Sequence, residues 1–201
     1  MDYINIINEI VPKMRIQMHT NSIPSLTYIY NLVYENQGSS INKFMLDIIL
    51  SKLGIYLKTQ EVSELSKYLD KNNESVKLDK FGELFKRELS KEAKNEIEHV
   101  YDNYAIPGKN VDINVLLQNF NPYEHPQLMG VKNDANKTFE SMKNDIYLIA
   151  GNKNEINLEQ FFELHKNIWS IMPEDYEETF VYQIALMWNI KRYQWKNLFF
   201  L

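Results

Sequence analysis

Apolar residues return along this chain at helical spacing with few interruptions. Ile4, Ile7, Ile10, Val11 and Met14 form a first amphipathic segment, because side chains three and four residues apart share a helix face. The stretch Asn21 to Pro24 predicts a break, and a helix follows near Ser25 to Tyr34. Leu46, Ile49, Leu50 and Leu53 predict another, with Gly54 placed to end it. Val62, Leu65 and Leu69 mark the next, followed by Phe81, Leu84 and Phe85, then by Lys91 to Tyr101, and then by a helix that stops near Asn121-Pro122. Asn121 to Lys137, rich in Asn and Pro, is expected to be an exposed loop. The fold class this pattern predicts is all-α.

A longer period lies on top of the helical one. At Ile41, Val76, Val111 and Ile156 a β-branched residue stands alone, and five positions later comes Leu46, Phe81, Leu116 or Phe161. That is the skeleton of an EF-hand loop, whose eighth position bonds to a partner loop across a short β-bridge and whose thirteenth starts the exiting helix. Ile41 is then expected opposite Val76, and Val111 opposite Ile156. The chain would form two lobes of paired EF-hand-like helix-loop-helix units: residues 1–90 with a leading helix, and residues 91–201 with an aromatic C-terminal helix.

The chemistry such loops usually carry is largely missing. A calcium cage needs oxygen ligands at positions 1, 3 and 5, a Gly at 6 and a bidentate Glu at 12. The first loop offers Tyr34, Asn36, Gly38, Ser39 and Met45; the third offers Tyr104, Ile106, Gly108, Lys109 and Val115; the fourth offers Ile149, Gly151, Lys153, Asn154 and Gln160. None of these sets holds a hard dication. The second loop keeps a vestigial metal run, Asp70, Asn72 and Glu74, but it is one residue short and puts Lys80 at the bidentate position. An ammonium there repels the ion. Apolar replacements at Tyr34, Met45, Tyr104, Val115 and Ile149 are expected to pack against the lobe instead.

At these residues the chain resembles the calcyphosin family, from about Ile10 to Ile190. The resemblance is carried by KMRIQMHTNSIPSLTYIYNLV (Lys13 to Val33), SSINKFMLDIILSKLGI (Ser39 to Ile55), SVKLDKF (Ser75 to Phe81), VDINVLLQNFNPYEHP (Val111 to Pro126), EINLEQFFEL (Glu155 to Leu164) and FVYQIALMW (Phe180 to Trp188). The His125-Pro126 pair and Trp188 are its more family-specific details. The resemblance implies four EF-hands in two lobes, no enzymatic activity, and an association with cilia and signalling. Calcyphosins bind calcium, but their ligand positions fall here on the non-ligating residues just named.

Composition narrows the partners. A net charge of −5 with 22 scattered Lys and Arg residues gives no electrostatic footprint for nucleic acid. Cysteine is absent, which removes disulfides, thiolate zinc sites and cysteine nucleophiles together. The N-terminal MDYINIINEIVPKM carries acids and no basic leader, so no secretory or transit peptide is expected. No apolar run reaches the roughly 20 residues a membrane span needs. The four histidines, His19, His99, His125 and His165, lack zinc spacing, and Glu163 and His165 face different sides of a helix. No Gly-rich phosphate loop or nucleophile elbow is present in the sequence.

After Trp188, the segment NIKRYQWKNLFFL continues the helical spacing. Trp188, Arg192, Trp195, Leu198 and Phe199 are the candidate partner-binding residues, since Trp and Arg are common in binding hot spots. The plain alternative is that this stripe folds back on its own lobe. The reading that follows is of a non-catalytic, calcium-independent, EF-hand-like structural or scaffold protein without cofactor. It is expected to be a cytoplasmic subunit of a ciliary axoneme or other cytoskeletal, microtubule-associated assembly. Its partners are proteins, with no nucleic acid and no membrane span. The alternative is a calcium-responsive regulator using the residual site at Asp70, Asn72 and Glu74.

Overall fold

Helices dominate the computed structural model, which describes residues 6–37, 40–41, 43–69, 76–128, 134–151 and 153–190. A π-helical turn at Ile6–Ile10 leads into α1 (Val11–Thr20). Then follow α2 (Leu26–Gln37), β1 (Ser40–Ile41), α3 (Lys43–Lys52), α4 (Thr59–Leu69), β2 (Val76–Lys77) and α5 (Leu78–Glu83). The later elements are α6 (Lys91–Tyr104), β3 (Val111–Asp112), α7 (Ile113–Asn119), α8 (Ala135–Ala150), β4 (Glu155–Ile156), α9 (Leu158–Ser170) and α10 (Glu177–Met187). β1 pairs antiparallel with β2, placing Ile41 opposite Val76, and β3 pairs antiparallel with β4, placing Val111 opposite Ile156. This is the register that the loop spacing predicts.

Local chemistry explains where the helices begin and end. Ser25, Ser90, Asp112 and Asp134 each accept a backbone N–H from the first turn of the helix that follows, satisfying donors the helix itself cannot use. Gly54, at φ +69°, closes α3 with Ile55 N–H donating to the Leu50 carbonyl, which is the left-handed stop that glycine allows without steric cost. Asn189, at φ +58°, ends α10 in the same way.

The chain forms two compact units. The first comprises residues 1–88 with residues 166–175, and the second comprises residues 89–165 with residues 176–201. The expected division into 1–90 and 91–201 is corrected in two respects: the boundary falls after Glu88, and Lys166–Asp175 belongs to the first unit. Its core is built by Met14 and Met18 of α1, Ile29 and Val33 of α2, Leu46 and Leu50 of α3, and Phe81 and Phe85, with Ile171 completing it.

Two of the chain's three arginines hold that returning segment. The buried Arg15 donates from Nε to the Ser170 carbonyl at 3.0 Å, from Nη2 to the Phe85 carbonyl at 3.2 Å, and from Nη1 to Glu174 at 3.0 Å. Arg87 donates to the Trp169 and Met172 carbonyls and lies over the Trp169 ring, with Cζ 3.5 Å from the centroid. The Trp169, Ser170 and Met172 carbonyls stand at and just past the C-terminal end of α9, where intrahelical donors run out, and the Phe85 carbonyl just past α5; a planar guanidinium fork reaches two such carbonyls at once. Burial pushes the Arg15 guanidinium below its ordinary value, and Glu174 partly offsets this. Because the Glu174 side chain is 67% exposed, that ion pair contributes little. Arg15→Met is therefore expected to cost about 2–4 kcal/mol through the carbonyls it orphans. Arg15→Lys should recover only part of it. Chemical denaturation of the two variants checks this, and a loss equal to that of an exposed Glu174→Gln control would sink it.

In the second unit, Asn121 to Lys137 departs from the expected exposed loop. It holds two 3₁₀ turns, Pro122–Glu124 and Pro126–Leu128, with α8 starting at Ala135. His125 and Gln127 within it are buried. The reason is a backbone anchor and an aromatic one: Asn121 N–H donates to the Met187 carbonyl at 2.8 Å, and the His125 ring stands edge-on to Phe120.

Candidate functional site

In the fourth loop, between α8 and α9, one side-chain amide makes the closure. Gln160 donates from Nε2 to the Ile149 carbonyl at 2.9 Å. Its Oε1 accepts the Asn157 N–H at 3.0 Å, while Asn157 Oδ1 accepts the Gln160 N–H at 2.8 Å. That reciprocal pair is a capping box at the start of α9, so one amide caps the helix and ties the two ends of the loop together.

The third loop is joined to the fourth by backbone and by a phenol. Ile113 N–H donates to the Asn154 carbonyl at 3.0 Å, and the Tyr101 hydroxyl donates to the Ile156 carbonyl at 3.2 Å. Tyr104 is half-buried and its hydroxyl donates to the Trp188 carbonyl. Ile149 is also half-buried. Val115 corrects the expected packing, since it is 36% exposed and, with Ile106, lines an open cavity of about 290 Å³. Its place in the first turn of α7, on the face away from buried Ile113 and Leu116, turns it to solvent.

Behind these loops lies an aromatic cluster centred on Trp188. The indole is fully buried, with ring centroids 5.3 Å from Phe161, 5.5 Å from Phe120 and 5.9 Å from His165. Trp188 Nε1 donates to His165 Nε2 at 2.9 Å, which fixes that nitrogen as an acceptor. His165 Nδ1 then carries the proton and donates to the Phe161 carbonyl at 2.8 Å. Both imidazole nitrogens are thus committed in the neutral form. Burial pushes His165 down to about 4, against the opposing effect of the Phe161 carbonyl. Burial, and secondarily the nearby His165, push His125 down to about 3. His125 Nδ1 accepts the Gln127 N–H at 3.3 Å, while its Nε2 is buried with no hydrogen-bond partner among the described residues.

The structure thus places Trp188 inside its own unit: for this residue the fold-back alternative holds, and the indole presents no anchor to a partner while α10 is docked. Arg192, Trp195, Leu198 and Phe199, and likewise Asp70, Asn72 and Glu74, lie outside the described residues. The side chains of Tyr34 and Met45 are also outside them. Glu163 is exposed and His165 buried, so the two do not meet. Among the described residues, no three His, Cys, Asp or Glu side chains gather in a metal-holding group, and no helix is long and apolar enough to cross a membrane.

Sequence reasoning missed Arg15 and Arg87, and gave Gln160 only as a non-ligating residue of the fourth loop. The Asn157-x-x-Gln160 spacing was a signal for the last of these; the two arginines act across 70 or more positions and leave no local trace. No protein-family model matches this chain, and no curated protein matches it.

Proposed function

We propose that this chain is a non-catalytic, calcium-independent, EF-hand-like structural protein, a subunit of a ciliary axoneme or other microtubule-associated assembly. The observation that carries the calcium-independent part is the fourth loop, where the Gln160 amide makes the closure that an ion and a carboxylate would otherwise make. Calcium sensing works by the ion changing the balance between closed and open helix pairs. A loop already tied by an amide at that position offers the ion no bidentate carboxylate there. The filled core behind it, with Trp188 seated on Phe161 and His165, favours a fixed conformation that serves as a platform. The ciliary and cytoskeletal part rests on the family resemblance of the sequence.

Calorimetric titration with calcium, paired with thermal melts in chelator and in excess calcium, is the direct test. The expected result is no binding heat and no displacement of the melt. A saturable heat that disappears in Asp70→Ala would replace this reading with the calcium-responsive one. The assembly itself is tested by tagging: the chain should stay with the detergent-resistant cytoskeleton, and full extraction by detergent would overturn that part.

A further inference from the structure

We infer that residues 191–201 dock in cis on the open cavity between the third and fourth loops, whose apolar wall is made by Tyr104, Ile106 and Val115. The cavity has a volume of about 290 Å³, and Lys109, Asp112 and Glu155 stand among its polar groups. Its aliphatic wall faces water: Ile106 is 62% exposed and Val115 36%. Apolar side chains gathered in this way gain free energy by being covered.

The chain leaves α10 at this same wall. The hydroxyl of Tyr104 donates to the Trp188 carbonyl. Asn189, at φ +58°, then closes the helix, with Ile190 N–H donating to the Ala185 carbonyl. The residues that follow, 191–201, span up to roughly 36 Å when extended at about 3.3 Å each, so reach does not limit docking. A segment tethered beside its site meets it at an effective concentration on the order of millimolar, with no second molecule to bring in.

The segment matches the cavity in charge and in apolar content. Asp112 and Glu155 stand directly opposite each other across the β3–β4 bridge, a placement that costs energy for two like charges. Neither forms an ion pair among the described residues, and Lys109 offsets only one of the two charges. Lys191, Arg192 and Lys196 supply further cations, while Trp195, Leu198 and Phe199 supply apolar groups to cover Ile106 and Val115. An outside protein then reaches those two residues only by displacing the segment.

Acrylamide quenching of the full chain reads the docking, because the other two indoles, Trp169 and Trp188, are buried. The difference between the full chain and Trp195→Phe isolates Trp195, which should be shielded. Ile106→Lys combined with Val115→Lys, both at exposed positions, should abolish the shielding. Asp112→Asn, which keeps a helix-capping side chain, combined with Glu155→Gln should weaken it. Carbodiimide joins the Lys196 amine to the Glu155 carboxylate as an amide, with loss of water. In a mixture of ¹⁴N- and ¹⁵N-labelled chains, those links should join peptides of the same label. Trp195 quenched as readily as free tryptophan overturns the inference, as does shielding that survives the Ile106 and Val115 substitutions. Links between light and heavy peptides overturn it in favour of a second copy as the occupant.

Discussion

Trp188→Ala should destabilise the second unit by about 3–5 kcal/mol, the range for deleting a fully buried large aromatic side chain. The indole is wholly out of solvent and touches Phe120, Phe161 and His165. Its removal leaves a cavity between α9 and α10 and strips His165 Nε2 of its donor. The two losses can be separated. Trp188→Phe keeps most of the ring contact and loses the hydrogen bond, so its cost should be nearer 1–3 kcal/mol, the desolvation penalty of one buried acceptor. Hydrogen exchange of the α6, α9 and α10 amides, followed alongside chemical denaturation, measures both. A Trp188→Ala loss below about 1 kcal/mol would mean that the indole is not a keystone of this unit.

Acid should weaken the same unit well before general acid denaturation. His125 and His165 are buried neutral, with values of about 3 and about 4 against an ordinary 6.5. The unfolded chain therefore binds protons that the folded chain refuses. Stability from this source is complete above pH 6.5 and declines as pH falls below it, down to the folded-state values. At pH 5 each histidine is about 1.5 units below its unfolded midpoint, a loss of about 2 kcal/mol apiece at 1.36 kcal/mol per unit. The pair together loses about 4 kcal/mol. Denaturant midpoints of the full chain between pH 7.5 and 4.5 test this, with His165→Gln expected to reduce the dependence on pH by about half. A flat profile down to pH 5 would exclude the buried neutral pair as the source of any acid lability.

How far the sequence reaches is clearest at the β-bridges. A lone Ile or Val followed five residues on by Leu or Phe was enough to place Ile41 opposite Val76 and Val111 opposite Ile156. Register is set by local pattern, since a slip by one residue turns every apolar side chain to the wrong face. The stop at Gly54 was legible for the same reason, because a helix C-cap acts within a single turn. The stretch Asn121 to Lys137 misled because its polar composition predicts exposure, whereas one backbone bond to Met187 and the ring of Phe120 draw His125 and Gln127 inside.

Sequence alone therefore determined a mostly helical chain of repeated helix–strand–helix units and the pairing of their short strands. These follow from periodicity and residue type, which act over a few positions. Tertiary structure alone decided that Lys166–Asp175 belongs with the first unit, that Trp188 faces inward, and that Gln160 closes its loop through an amide. Each of those depends on which distant carbonyl or ring a side chain meets: Arg15 finds Ser170 across 155 positions, and Trp188 finds His165 across 23. Such contacts are chosen by the packing of whole helices around a shared core, and they have no counterpart in the local order of the residues.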